Sequence, residues 1–101
     1  MKNSIFISAA AYEDIKEARK WYEEHRIGLS FYFDLCLEGG YEDITTSPLA
    51  YEIKYQNVRV KYIQRFPYGI HYILEEGAVY VLGVFHTSKD PINWNSRNKK
   101  L

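Results

Sequence analysis

The stretch of the sequence richest in reactive side chains is residues 84–91, VFHTSKDP. An apolar run that begins at position 78 ends here in an imidazole, two hydroxyls, an ammonium and a carboxylate, before Pro91 interrupts regular structure. Histidine ionises near neutral pH, so His86 is a candidate general acid or base. The pattern also fits an ordinary strand that leaves the core, and from the residues alone this second interpretation is the commoner one.

A second group of candidates is a basic row at positions 59, 61 and 65. Arg59, Lys61 and Arg65 are separated by even numbers of residues, so they share one face of a strand. We predict that this is the solvent face, because Val60 and Tyr62 project the other way. Aromatic rings interleaved with cations suit stacking on bases and pairing with phosphates. A charged row on the wet face of a sheet is also expected of a protein that binds no nucleic acid. The tyrosines of the neighbouring segments are Tyr55, Tyr68, Tyr72 and Tyr80.

Together these side chains have the chemistry to cleave RNA without a metal ion. In-line attack of a 2′-hydroxyl on its phosphate needs a base, cations for the developing charge and an acid for the leaving oxygen. His86 is the candidate acid or base. The candidate cations are Arg59, Arg65, Lys89 and Arg97, and the candidate substrate-binding residues are Tyr68, Tyr72, Lys61 and Trp94.

No metal and no cofactor is expected. The sequence has no glycine-rich nucleotide loop, no HExxH and no GxSxG. The histidines, His25, His71 and His86, are too dispersed in the sequence to indicate a metal site. The single cysteine, Cys36, excludes a disulfide within the chain and fits a reducing compartment.

The composition indicates one soluble domain over residues 1–101 with a net charge of zero. The first fifty residues hold five Lys or Arg against nine Asp or Glu, and the remainder hold eight against four. This asymmetry indicates an anionic partner for the second half of the chain. Alternatively, it means only that the predicted amphipathic helices of the first half carry the acidic residues on their surfaces. The longest apolar run is eight residues, far below the roughly 20 that cross a membrane, and no signal peptide is apparent. We therefore expect a cytoplasmic protein without membrane contact.

The elements that must position the candidate residues form an α+β domain in the order β-α-α-β-β-β-β. Residues 4–8 fit a short strand, and apolar residues at helical spacing predict helices over residues 9–24 and 29–44. Ser8 is a candidate helix cap, and Gly28 suits a left-handed residue at the end of the first helix. After Pro48 the apolar period changes to two, which predicts four antiparallel strands. We expect the helical hairpin to pack on one face of an antiparallel sheet, with a short helical tail over residues 91–97.

The second half of the sequence carries a series of motifs: an Arg-bearing strand, an F-P-Y turn, an I-x-Y strand, a V-x-V-x-x-V-x-H strand and W-x-x-R. The residues that form them are Val58-Arg59, Phe66-Pro67-Tyr68, Ile70, Tyr72, Val79, Val81, Val84, His86, Pro91, Trp94 and Arg97. In their order and spacing, these features resemble the RelE/ParE superfamily of toxins from type II toxin–antitoxin systems. The resemblance spans nearly the whole chain and implies a growth-inhibiting toxin that a co-encoded antitoxin neutralises.

The resemblance implies one of two activities, since RelE-like members cut mRNA on the ribosome and ParE-like members poison DNA gyrase. The helical hairpin, the F-P-Y turn and the ending from His86 to W-x-x-R are closer to the ParE-like side. Thr87 and Ser88 stand where the family usually places arginine, and a net charge of zero is low for binding ribosomal RNA. We therefore expect a gyrase inhibitor. The alternatives are a ribosome-dependent, metal-independent endoribonuclease and an inactive module that only binds the antitoxin.

Overall fold

The computed structural model describes residues 2–88 of the chain. Their elements are, in order, β1 (Ser4–Ile7), α1 (Ala9–His25), α2 (Leu29–Thr46), β2 (Ile53–Tyr55), β3 (Val58–Tyr62), β4 (Tyr68–Glu75) and β5 (Ala78–His86). The predicted α+β class and the predicted order of elements are confirmed. The helical tail predicted for residues 91–97 lies outside the described residues.

The helical hairpin forms as the spacing of apolar residues predicts. The Ser8 hydroxyl accepts a hydrogen bond from the Ala11 N–H at 3.1 Å, which satisfies one of the first amides of α1. Gly28 has a φ of 91°, in the left-handed region, so a glycine here lets the chain reverse between the helices. Within residues 2–88, neither helix combines the length and the apolar character needed to cross a bilayer. The buried helix residues include Ala11, Ala18, Tyr22, Phe33, Leu37 and Ile44.

The strands form one five-stranded sheet in the order β1-β5-β4-β3-β2. From β2 to β5 each strand is antiparallel to the next, as expected. The expectation of a wholly antiparallel sheet is corrected at one edge, where β1 lies parallel to β5 with Ser4 opposite Ala78. A parallel pair needs a long crossover, which the rest of the chain between β1 and β5 supplies. The spacing of apolar residues along the sequence does not encode that long-range pairing of strands.

Both faces of the sheet carry buried apolar side chains. On the helix side, Ile70 and Val84 pack with α1 and α2 in the main core. On the other side, Val58, Ile73 and Leu82 form a second, smaller cluster. The sheet therefore has no face that is entirely polar, and alternation along a strand cannot by itself identify the face that the helices cover.

Arg59 and Lys61 lie on the helix side of the sheet, which corrects the prediction that they project from a solvent face. In the β3–β4 pair, Arg59 is opposite Tyr72 and Lys61 is opposite Ile70, and opposite residues share a face. The alternation was predicted correctly, but Val58, which projects from the opposite face of β3, belongs to the second cluster and not to the main core. Arg65 does not continue the row, because β3 ends at Tyr62 and Arg65 lies in the following turn.

Candidate functional site

Two concave surfaces adjoin the turn at residues 66–68 and share a wall made by Tyr22 and Pro67. The first, the His86 cleft, lies between α1 and the paired ends of β4 and β5 and has a volume of about 520 Å³. The second, the α2 groove, lies between α2 and the connection from β3 to β4 and has a volume of about 1070 Å³. The Tyr22 ring meets Phe66 edge to face at 4.8 Å, so the shared wall is continuous with the core.

The His86 cleft forms where β5 ends beside one flank of α1. Strand pairing places His86 opposite Tyr68, and the two rings meet edge to face with their centroids 5.2 Å apart. Asp14, Glu17 and Trp21 line the same cleft from successive turns of α1, because spacings of three and four residues share a helix flank. The structure thus joins two of the predicted site residues to three helix residues that the sequence analysis did not select.

The imidazole of His86 is held by the residues that follow it. The Ser88 N–H donates to Nδ1 of His86 at 3.1 Å, and the Ser88 hydroxyl lies 2.8 Å from the same nitrogen. A nitrogen that accepts from an amide carries no proton, so in the neutral ring the proton resides on Nε2. In this arrangement neutral His86 offers a hydrogen-bond donor at Nε2 and no base there.

The fixed charge of the His86 cleft is negative. Over residues 2–88 its lining includes the carboxylates of Asp14 and Glu17 and neither lysine nor arginine. Asp14 accepts a hydrogen bond from the Val84 N–H at 3.0 Å, which ties α1 to β5. Burial raises the pKa of the Tyr68 hydroxyl, and the neighbouring Tyr22, Glu17 and Asp14 raise that pKa further. Tyr68 therefore stays protonated, and the cleft presents neutral donors beside carboxylates.

The α2 groove contains two of the predicted basic residues, Lys61 and Arg65, and adds Arg26. The Lys61 ammonium lies 3.5 Å from the Asp43 carboxylate and 4.9 Å from the centre of the Tyr51 ring, so its charge already has a partner. Arg65 is exposed in the turn after β3. This second surface is therefore the more basic of the two, and the described residues that line it include no histidine.

Arg59 and Tyr72 occupy a third place, inside the structure. The Arg59 guanidinium donates to the Tyr51 carbonyl at 2.6 Å. Tyr72 has no exposed surface, and its hydroxyl donates to the Pro48 carbonyl at 2.6 Å. Burial raises the pKa of Tyr72 to about 12, although the nearby Arg59 lowers it. Both residues anchor the segment between α2 and β2 to the sheet.

The predicted site residues are therefore divided among three places in the described part of the chain. His86 and Tyr68 line the cleft, Lys61 and Arg65 line the groove, and Arg59 and Tyr72 bind loop carbonyls. The tyrosines expected to interleave with the cations are also divided, since Tyr55 and Tyr80 pack on the second cluster of the sheet. The remaining predicted residues, Lys89, Trp94 and Arg97, lie outside the described residues.

The three histidines are as scattered in space as they are in the sequence. His25 is at the end of α1, His71 hydrogen-bonds the Tyr55 hydroxyl at 2.9 Å inside the sheet, and His86 is at the end of β5. In the stretch from residue 2 to residue 88, no group of three or more His, Cys, Asp or Glu residues is placed to hold a metal ion.

Comparisons with known proteins find similarity at the level of structure. No protein-family model and no curated protein sequence matches this chain. Among solved structures, it is similar to a chain of the "Chromosomal ParDE TA system from P. aeruginosa", with a TM-score of 0.74 and 10% sequence identity. The match covers 84% of this chain and 96% of that chain. The two chains share a fold.

Proposed function

We propose that the protein is the toxin of a type II toxin–antitoxin pair, that it arrests growth by binding DNA gyrase in the cytoplasm, and that a co-encoded antitoxin neutralises it. Two observations support the pairing with an antitoxin. The chain shares its fold, over 84% of its length, with a chain of the ParDE TA system. Its sequence motifs, from the F-P-Y turn to the histidine that ends β5, resemble the ParE-like side of the superfamily.

The charge of the His86 cleft is the observation that carries the choice of a protein target. Binding of RNA depends mainly on cations that neutralise phosphates. The cleft instead presents the carboxylates of Asp14 and Glu17 beside His86, so an RNA backbone that entered it would meet charges of its own sign. A protein target can present donors and apolar groups to the same surface.

The distribution of cations supports the same choice. Cleavage of RNA without a metal needs positive charge close to the acid–base residue. Lys61 and Arg65 lie in the α2 groove, on the other side of the wall that Tyr22 and Pro67 make. The hydrogen bond from Ser88 to Nδ1 of His86 also keeps the proton of the neutral ring on Nε2, which opposes a role as general base at that nitrogen.

Induced expression in a bacterial host tests this proposal. We expect growth arrest, filamentous cells and broken chromosomal DNA, because a trapped gyrase complex blocks replication. Primer extension on abundant transcripts should show no cleavage at codon positions. Co-expression of the product of the adjacent short reading frame should restore growth.

Each alternative gives a different result in that experiment. If mRNA is cleaved at codon positions while the chromosomal DNA stays intact, the target is the ribosome and not DNA gyrase. Normal growth at high expression, together with binding to the neighbouring gene product, would leave only an inactive antitoxin-binding module. Normal growth and no binding to that product would contradict the whole proposal.

A further inference from the structure

The His86 cleft has the size of a pocket for one long side chain and the backbone beside it. Its volume of about 520 Å³ lies within the roughly 300–1,000 Å³ of pockets that hold small ligands. One wall is a flank of α1, and the opposite wall is the end of the β4–β5 pair. Tyr22 and Pro67 close the cleft towards the α2 groove, so the cleft is a separate cavity with walls of its own.

Trp21 is an exposed aromatic side chain that its own helix holds in one orientation. It lines the cleft, yet 53% of its surface is exposed. The His25 ring stacks on the indole with the two centroids 3.6 Å apart, and Nδ1 of His25 donates to the Trp21 carbonyl at 2.8 Å. Packing within the fold does not require a half-exposed indole. Hot spots of protein interfaces, by contrast, are enriched in tryptophan, tyrosine and arginine.

Glu17 brings a carboxylate to the cleft beside Trp21. A spacing of four residues puts these two side chains on one flank of α1, one turn apart. Among the residues that the structure describes, Glu17 belongs to none of the ion pairs, whereas Arg19 of the same helix pairs with Asp34 at 2.9 Å. A cation on the face of an indole is attracted by the ring, and a carboxylate next to it supplies the opposite charge. Glu17 and Trp21 together therefore suit a cation.

Asp14 adds to the negative field of the cleft. Its carboxylate accepts a hydrogen bond from the Val84 N–H at 3.0 Å, so we assign the direct contact with a ligand to Glu17. Both carboxylates lie close enough to the Tyr68 hydroxyl to raise its pKa. They therefore act on the same small volume, and a cleft lined by one sign of charge concentrates ligands of the opposite sign.

His86 offers a hydrogen-bond donor in the same cleft. The Ser88 N–H donates to Nδ1 at 3.1 Å, so the proton of the neutral ring is on Nε2. The edge of the ring contact with Tyr68, at 5.2 Å, helps to hold the imidazole in place. A guanidinium or an ammonium has only donors and cannot use this position, but a backbone carbonyl can. A basic residue within a peptide has both the cation and the carbonyl.

We infer that the His86 cleft binds an arginine side chain of the protein target. The guanidinium lies on Trp21 and pairs with Glu17, and a backbone carbonyl of the same segment accepts from Nε2 of His86. The inference rests on the proposed function only in taking this arginine from DNA gyrase. Arginine suits the cleft better than lysine, because its planar guanidinium stacks on aromatic rings and pairs with a carboxylate through two parallel hydrogen bonds.

A titration with capped amino acids tests the inference directly. Nα-acetyl-arginine amide carries the guanidinium and the backbone carbonyl, and Nα-acetyl-citrulline amide has the same shape without the charge. NMR follows the backbone amide signals of Val84 and Ser88 in the full-length protein, because both residues line the cleft. We expect saturable shifts with a Kd on the order of 1–10 mM for the arginine derivative and binding about tenfold weaker for the citrulline derivative. No saturable shift up to about 50 mM, or equal binding of the two derivatives, would overturn the inference.

A lysine derivative tests the choice of the guanidinium. Nα-acetyl-lysine amide has the same charge as the arginine derivative, but its ammonium is a compact and strongly hydrated point charge. We expect it to bind about threefold more weakly in the same titration, because it does not stack on the indole as a planar group does. Equal binding of the lysine and arginine derivatives would contradict the assignment of an arginine to the cleft.

Three variants at exposed positions of α1 identify the residues responsible. Glu17→Gln keeps the shape of the side chain and should weaken binding of the arginine derivative about tenfold, because the ion pair is lost. Trp21→Leu should weaken it about fivefold, because the aromatic face is lost. Glu24→Gln makes the same change of charge outside both surfaces and should leave binding unchanged. Equal effects of the two glutamate variants, or unchanged binding by Trp21→Leu, would contradict the assigned site.

Inhibition of gyrase supercoiling by the same proteins separates this inference from the proposed function. If the wild type and Glu24→Gln inhibit, and Glu17→Gln needs about tenfold more protein, both stand. If Glu17→Gln inhibits as well as the wild type, the arginine site is wrong and the gyrase target stands. If the wild type does not inhibit while the arginine derivative still binds in the cleft, the gyrase target is wrong and the cleft keeps its assignment.

Discussion

The His86 cleft and the α2 groove share one wall and have opposite charge. In the cleft, carboxylates from α1 stand beside a histidine and a protonated tyrosine. In the groove, Arg26 and Arg65 lie beside an apolar floor, and Lys61 is paired with Asp43. A net charge of zero for the chain thus conceals two adjacent surfaces of unlike charge.

The contrast also explains why the charge imbalance between the halves of the sequence does not locate a site. The acids of the His86 cleft come from the first half of the chain, while its histidine and its tyrosine come from the second. Among the described residues, the cations of the α2 groove that form no ion pair come one from each half, Arg26 and Arg65. Charge becomes informative only after folding has determined which residues meet.

The largest effect is expected from removing the wall between the two surfaces. Tyr22 packs on Phe33, Phe66 and Tyr68, so Tyr22→Ala should lower the free energy of unfolding by about 3 kcal/mol, as expected for a buried aromatic residue. Urea denaturation measures this free energy of unfolding. Tyr12→Ala is the control, because Tyr12 is an exposed tyrosine of the same helix, and it should change stability by less than about 0.5 kcal/mol. Similar losses in both variants would mean that Tyr22 is no part of a shared wall.

A smaller effect is expected from Tyr72, which belongs to neither surface. Tyr72→Phe leaves the partly buried Pro48 carbonyl without its donor, and the loss of such a hydrogen bond costs about 0.5–1.5 kcal/mol at neutral pH. Folding raises the pKa of Tyr72 from 10.0 to about 12. The contribution of the protonated Tyr72 hydroxyl to the free energy of unfolding is therefore complete below about pH 10. It is lost as the pH rises through about 12. Urea denaturation at several pH values should show a shallower alkaline loss in the variant than in the wild type.

The control for that measurement is Tyr62→Phe, which removes a hydroxyl from a half-exposed tyrosine of the adjacent strand. It should leave both the neutral-pH stability and the alkaline loss close to those of the wild type. If Tyr72→Phe also leaves them unchanged, the hydrogen bond to Pro48 does not stabilise the fold.

The smallest effect is expected from reversing one charge of the His86 cleft. Glu17→Lys should strengthen binding of a labelled single-stranded RNA at low salt about fivefold, because it replaces a charge that repels phosphates by one that attracts them. Fluorescence anisotropy measures the affinity. Glu24→Lys, on the same helix and outside both surfaces, makes the same change of charge and should have less effect. Tight binding of RNA by the wild-type protein, reduced by Glu17→Lys, would contradict the protein-target assignment.

Much of the fold follows from the sequence, because local periodicity decides it. The apolar spacing along α1 and α2, the cap at Ser8 and the change of period after Pro48 each agree with the structure. The parallel placement of β1 does not follow, because it depends on a contact across most of the chain. The same limit applies to Arg59 and Lys61, whose alternation was predicted correctly and whose face was not, since both faces of the sheet are apolar.

The candidate site was predictable only in part. His86 was identified because polar chemistry follows an apolar strand, and Tyr68 because it ends the F-P-Y turn. Helical spacing along α1 puts Asp14, Glu17 and Trp21 on one flank, but nothing local says that this flank faces the end of β5. Their role beside His86 emerges from tertiary packing alone.

Supercoiling of relaxed plasmid by purified DNA gyrase, in the presence of the purified wild-type protein, tests the proposed target most directly. The account predicts that supercoiling falls as the protein is added and that linear DNA accumulates when the trapped complexes are denatured. Complete supercoiling at a molar excess of the protein, in a preparation whose induction arrests growth, would contradict it.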